Sequence, residues 1–299
     1  MGPTYLSFAK LNLHLQVLGR RPDGYHELAT VFQTIDLADR VTVEATAGGG
    51  IELEVVGADL PAGPENLAWR AAALFHERFG RPGTGTRIRL GKRIPIGGGL
   101  GGGSSNAATV LLALARRARV APDEPDLLAA ARDLGADVPF FLVGGTAVGT
   151  GRGDRIAPLA DALLPASTEL VLAVPRTELA TARVFAALGE PAPRALPAAL
   201  ANAIADPAAG PSLPDLVGWN DLEEPARRLS PALDAVYNSL VLSPARFVRL
   251  SGSGATVFAA FDDPAAARAA GLALPSGTAW WSVRPLGRAA WRRESGLFD

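Results

Sequence analysis

The chain has 299 residues, 48% hydrophobic and 20% charged, enough for two domains or one large one with a substantial core. Lys+Arg 29 against Asp+Glu 30 leaves a net charge of −1, which argues against nucleic acid or an anionic membrane as partner, since both select a basic field. There is no cysteine, so disulfides, thiolate metal sites and thiol nucleophiles are excluded, and the three histidines, His14, His26 and His76, are widely separated for a zinc ligand set.

Met1–Lys10 lacks the basic start, apolar stretch and cleavage site of a signal peptide, and no apolar run reaches 18 residues. The expectation is a cytoplasmic protein. Leu11, Leu13, Leu15 and Val17 then alternate with Asn12, His14 and Gln16, which predicts a half-buried strand whose polar face also carries Lys10. Lys10 and Lys92 are the only lysines in a chain that otherwise uses Arg, which suits positions wanting a compact ammonium. Arg20 to Gly24 reads as a turn. Arg40 to Glu44 and Ile51 to Val56 read as a pair of strands joined through Gly48-Gly49-Gly50, and Pro64 to Phe79 as a helix.

Thr86 to Leu90 alternates again and leads into Pro95-Ile96-Gly97-Gly98-Gly99-Leu100-Gly101-Gly102-Gly103-Ser104-Ser105-Asn106. Glycines let backbone N–H groups approach an anion closely. Ser104 and Ser105 are candidate caps for an apolar helix from Asn106 to Val120, whose N-terminus favours phosphate. A Walker A loop is excluded because no Lys follows the glycines. Gly97-x-Gly99-x-x-Gly102 matches the dinucleotide fingerprint literally. However, Arg87 and Arg89 give the preceding strand a wet face, where that fold needs one buried on both sides.

Pro125 to Leu134 predicts another helix, stopped at Gly135, and Asp137 follows among apolar residues. Asp137 reads either as a cap for the next turn or as a general base. With Lys10 as its charged partner and a phosphate cradle, it would suffice for phosphoryl transfer. Ala147 to Ile156 reads as a hairpin whose turn contains Arg152-Gly153-Asp154. Glu169 to Val174 opens a second half, and the Ala/Pro-rich Glu190 to Leu216 reads as a loop or irregular helices. Leu222 to Leu242 is helical in outline, and Phe247 to Leu250, Thr256 to Phe261 and Trp280 to Val283 are short strands. Ser251-Gly252-Ser253-Gly254 reads as a plain turn, and the Arg-containing tail gives no pattern. The mixture favours α+β.

Pro95 to Ala108 resembles the ATP loop of the GHMP kinases, and Ser251 to Gly254 resembles their C-terminal glycine motif. Ala9-Lys10-Leu11-Asn12-Leu13, Asp23-Gly24-Tyr25-His26-Glu27-Leu28, Leu134 to Phe141 and Asn220-Asp221-Leu222-Glu223 extend the likeness from position 9 to about 261. Gly-Tyr-His after the Lys-x-Asn strand is the specific part. It is similar to the branch of the family that phosphorylates a hydroxyl on the methylerythritol part of a cytidine diphosphate conjugate, in the non-mevalonate route to isoprenoids. Kinases of homoserine, mevalonate or a sugar, or a non-catalytic nucleotide-binding relative, are the alternatives.

The resemblance implies a two-lobed α+β fold. Its N-terminal lobe, residues 1–158, would be like domain 2 of ribosomal protein S5, and its C-terminal lobe, residues 159–299, ferredoxin-like. It implies Asp137 as base with Lys10 beside it, Asn12 next to the reacting group, Tyr25 and His26 on the cytidine, and Phe185 as a second aromatic over the cytosine. ATP, accompanied by Mg²⁺, would lie on residues 95–106, with Asn66, Leu67, Lys92 and Asn106 bordering the adenine.

Overall fold

In the computed structural model, which describes residues 2–80, 84–160, 163–207 and 218–298, β1 (Thr4–Arg20) turns into β2 (His26–Ala47), forming one long antiparallel ladder. Gly24, at φ +85°, closes the turn. The alternation in β1 is present, but the strand is not half-buried. Lys10, Asn12 and His14 are as enclosed as the leucines between them, because helices and the second sheet cover both faces. Burial outweighs the Gln16 hydrogen bond and the Asp221 charge at His14 and lowers its pKa, so its imidazole is neutral.

The second edge of β2 is shared. Its C-terminal half pairs with β4 (Thr84–Gly91) and its N-terminal half with β5 (Thr146–Gly151), which returns as β6 (Arg155–Pro158) through a turn at residues 152–154. The expected pairing of residues 40–44 with 51–56 does not form. β3 (Ile51–Val56) instead lies parallel to β4, which separates it from β2. A parallel neighbour needs a crossover, supplied here by α1 (Leu67–Phe79). Arg87 and Arg89 occupy the wet face of β4 and pair with Glu52 (2.7 Å) and Glu54 (3.1 Å) of β3. The fingerprint Gly97-x-Gly99-x-x-Gly102 therefore follows a strand of a largely antiparallel sheet, not the first strand of a dinucleotide fold.

α1, α2 (Gly102–Ala118), α3 (Pro125–Leu134) and α4 (Val138–Val143) pack on one face of this sheet. Residues 105–115 of α2 are buried without interruption, so its apolar sequence is that of a central helix.

The C-terminal sheet orders β7 (Glu169–Val174), β8 (Phe247–Leu250), β9 (Val257–Phe261) and β10 (Ala279–Val283) as β10-β7-β9-β8, all antiparallel. Numbered within the lobe this is 4-1-3-2. Between β7 and β8 lie α5 (Thr181–Leu188), α6 (Ala198–Ala205), α7 (Glu223–Leu229) and α8 (Pro231–Val241). α9 (Pro264–Leu272) lies between β9 and β10, which completes the ferredoxin-like pattern. Leu170, Leu172, Phe258 and Ala260 face Leu11, Leu13, Val31 and Ile35 of the first lobe, whereas Val171, Ala173, Val257 and Ala259 form a separate core with Val184, Leu233 and Val236 of the helices.

The single helix expected over 222–242 is two, because Ser230 caps a fresh start at Pro231 and accepts from Leu233 N–H. The segment expected to be irregular over 190–216 contains α6, and its residues 208–216 lie outside the described residues. The tail is not featureless either. α10 (Arg288–Ser295) returns to the first lobe, where Trp291 is buried against Gly144. Among the described residues, no helix is long and apolar enough to cross a membrane.

Candidate functional site

β1 carries Lys10 and Asn12 side by side into a cavity of about 200 Å³ at the junction of the lobes. Lys10 Nζ donates to Asn12 Oδ1 (2.5 Å) and lies 3.3 Å from Asp137 Oδ2, with the Phe32 ring centroid 5.4 Å away. Asn12 Nδ2 donates to Thr30 Oγ1 (2.8 Å), which donates to the His14 carbonyl (2.7 Å). The amide is therefore oriented at both ends. Asp137 stands at the N-cap position of α4 but makes no capping hydrogen bond, and its side chain is 33% exposed. Of the two readings open from sequence, a structural cap is the one this geometry does not support.

The glycine loop lies alongside. Residues 95–104 and Asn106 line a second cavity of about 370 Å³ together with Asn66, Leu67 and Lys92. Gly97, Gly99 and Gly101 have φ near +70° while Gly98 and Leu100 do not, an alternation that turns successive N–H groups toward one side as an anion nest. Gly99 lines both cavities. The helix does not start near Asn106 under a serine cap. It starts at Gly102 behind Gly101, which places Ser104 and Ser105 in its first turn. Ser104 faces the cavity, whereas Ser105 is buried and donates to the Phe8 carbonyl (2.6 Å).

Gly97 and Gly99 share a backbone conformation but not surroundings. A Cβ on Gly97 meets open space, while one on Gly99 collides with the Ser251 carbonyl and lies 3.0 Å from that of Gly254. Gly97→Ala is expected to cost about 1–2 kcal/mol of left-handed strain, and Gly99→Ala clearly more, by separating the loops of the two lobes. Urea unfolding of both variants measures the difference, and equal losses would contradict the close approach.

Lys92 is not a free cation toward the cavity. It pairs with Asp39, which is fully buried, and donates to Asn106 Oδ1 (2.9 Å). Asp39 also accepts from Arg93 N–H (2.7 Å), Ile94 N–H (2.9 Å) and Asn106 Nδ2 (3.0 Å). This network clamps the start of the glycine loop to α2. Asn66 likewise has structural work, capping α1 at Ala68 N–H (3.0 Å) and donating to the Pro61 carbonyl (2.9 Å).

Of the expected aromatic group, His26 and Phe185 are brought together. Phe185 of α5 lines the Lys10 cavity and stacks on His26, centroids 4.6 Å apart and 20° between planes. That spacing leaves no room for a base between these two rings. Tyr25 is 57% exposed, with the Arg152 guanidinium 5.1 Å from its centroid. Burial and, secondarily, the Arg20 charge lower the His26 pKa, so the imidazole is neutral near pH 7. Sequence reasoning missed Arg152, Thr181 and Ser253, which also line the cavity, and Asp39. Arg152 was visible only as part of a turn, and nothing near Asp39 in sequence points to Lys92.

The family models for the GHMP kinases N terminal domain and GHMP kinases C terminal match residues 66–145 and 198–277. The 4-diphosphocytidyl-2-C-methyl-D-erythritol kinase of Thermus thermophilus is 46% identical over 92% of this chain and 94% of its own. The enzyme of the same name from Rhodopseudomonas palustris is 41% identical over 91% and 93%. A crystal structure of 4-(cytidine 5'-diphospho)-2C-methyl-D-erythritol kinase superposes with a TM-score of 0.75 at 44% identity, covering 95% of this chain and 100% of that one. Homoserine kinase from Cytophaga hutchinsonii, at 20% identity and a TM-score of 0.70, shares the fold.

Proposed function

This chain belongs to the 4-diphosphocytidyl-2-C-methyl-D-erythritol kinase family of the GHMP kinases, and we propose that Asp137 and Lys10 perform the phosphoryl transfer. The protein is an ATP-dependent phosphotransferase acting on an alcohol of 4-diphosphocytidyl-2-C-methyl-D-erythritol, in the isoprenoid pathway. The observation that carries the residue assignment is that Gly99 borders both cavities, so a terminal phosphate seated on the loop would meet a hydroxyl held beside Lys10.

In this reading the Asp137 carboxylate takes the hydroxyl proton as the oxygen attacks the γ-phosphorus. The bond from that phosphorus to the β–γ bridging oxygen breaks, and ADP leaves with the electron pair. Lys10 gives one N–H to Asn12 and pairs by charge with Asp137, and its remaining donors would serve a phosphoryl oxygen. The N–H groups of 97–103 and the N-terminus of α2 would hold the polyphosphate. Lys92, neutralised by Asp39, supports the loop rather than the phosphates. Among the described residues no three His, Asp or Glu gather as a metal site. Mg²⁺ would be bound chiefly through phosphate and water, with the Ser104 hydroxyl in the nucleotide cavity as its protein ligand. Bound there, the ion supplies charge neutralisation.

For the cytidine end, Tyr25 and Phe185 would offer faces for the base, and the neutral imidazole of His26 an edge partner. Arg152, next to Tyr25, would offset charge on the substrate diphosphate. The lobes on either side of residue 158 would each supply one wall. The working location would be the cytoplasm. A coupled ADP-release assay tests the function. Turnover dependent on the cytidine substrate is expected, and turnover with homoserine or mevalonate in its place would overturn it.

A further inference from the structure

Ser251 reads from sequence as part of a plain turn, yet it is fully buried between three elements. Its N–H donates to the Thr256 carbonyl (2.9 Å), and its own carbonyl accepts from Gly254 N–H (3.0 Å), so the turn itself is satisfied without the side chain. The hydroxyl does something else. It donates to the Gly99 carbonyl of the phosphate loop (3.0 Å) and accepts from the backbone N–H of Asn12 (3.3 Å). A hydroxyl has a single proton to give. With Gly99 taking it, the lone pairs face Asn12, and the hydroxyl is fixed in one orientation.

Asn12 N–H needs this partner because, like that of Lys10 two residues earlier, it points away from β2 along the other edge of β1. Ser251 in turn is held from the far side. Asn220 Nδ2 donates to the carbonyls flanking it, those of Leu250 and Gly252, both at 2.8 Å. A rigid C-terminal loop thus projects one hydroxyl between the glycine that borders both cavities and the strand carrying Lys10 and Asn12. The other tie between loop and strand, Lys10 N–H to the Leu100 carbonyl (3.0 Å), does not pass through this residue.

We propose that Ser251 is a positioning residue, transmitting the seating of nucleotide on residues 97–101 to the strand that aligns Lys10 and Asn12. The inference rests on the phosphotransferase reading for its kinetic consequence but not for its structural one. A displacement of about 1 Å at reacting groups costs on the order of 100-fold in rate, so Ser251→Ala is expected to lower kcat about 10–100-fold with both KM values within about threefold. Ser251→Thr, which keeps the hydroxyl, should recover part of the rate.

The readout that a merely structural hydroxyl would not move is amide exchange with a non-hydrolysable ATP analogue. In wild type, saturation should slow exchange at both Lys10 and Asn12 by about tenfold. In Ser251→Ala the Asn12 response should vanish while the Lys10 response, carried by Leu100, persists. Unchanged kcat in Ser251→Ala, or equal responses at Asn12 in both proteins, would overturn the proposal. Should the variant not fold, the wild type decides alone, since an Asn12 amide indifferent to the analogue also overturns it. Failure of the phosphotransferase reading would look different: no turnover with the cytidine substrate, with the exchange responses still measurable.

Discussion

Asp137→Asn is expected to lower kcat by on the order of 10²–10⁴, with the KM for ATP nearly unchanged and thermal stability reduced by at most about 1 kcal/mol. The substitution preserves shape and one acceptor oxygen but removes the basicity and the charge. Asp137 makes no cap bond to α4, is one-third exposed, and meets Lys10 at 3.3 Å, a partly solvated pair of small structural worth. The rate should therefore fall far more than the fold is weakened. At a true cap the same substitution would leave both nearly unchanged, because Asn caps a helix about as well as Asp. Steady-state kinetics and a melting curve on the same preparation decide it. A variant retaining a third of wild-type kcat would remove the base role and leave the rest of the site assignment standing.

The chemistry of this site was more legible in the sequence than its support. The nest of 97–103, the strand bearing Lys10 and Asn12, and the acid after Gly135 could each be read locally, because each depends on a short run of residue types with a direct physical meaning. What failed was whatever depends on a distant partner. The serines at 104 and 105 look like caps because glycine is a poor helix former. Yet Gly102 opens α2 where Ile94 Cγ2 would stand 3.0 Å from any Cβ, so packing overrides propensity. His26 and Phe185 stack although they lie in different lobes, and only the tertiary fold brings them together. The α9 helix, by contrast, was missed despite a readable start. Asp263 accepts from Ala265 N–H (3.0 Å) and Ala266 N–H (3.3 Å), with Pro264 at the first helical position.

The two lysines show the same division. Both line the candidate site, but Lys10 stands beside Asp137 in the cavity between the lobes, whereas Lys92 is sealed against Asp39 beneath the loop. Asp39→Ala is expected to destabilise the protein by about 3–5 kcal/mol, the usual result of removing one member of a buried ion pair. It strands the Lys92 ammonium and leaves Arg93 N–H and Ile94 N–H without their acceptor. Asp39→Asn separates the two effects. It can still accept from both amides, so it should hold the loop while leaving the Lys92 charge uncompensated. Pairing it with Lys92→Met removes that charge and should regain part of the loss.

If the network's function is to hold the start of the nucleotide loop, any folded Asp39 variant should raise the KM for ATP and leave that for the cytidine substrate alone, since Asp39 touches residues 92–94 and 106 but none that line the Lys10 cavity. Urea unfolding gives the stability term and paired KM measurements the functional one. An Asp39→Ala protein with an unchanged unfolding midpoint would show that this buried pair carries no stability. Equal rises in both KM values would show that the network serves the whole cleft rather than the loop. A rise confined to the KM for ATP would mean that loop and strand are held by different buried groups, Asp39 fixing the start of the loop and Ser251 tying Gly99 to Asn12.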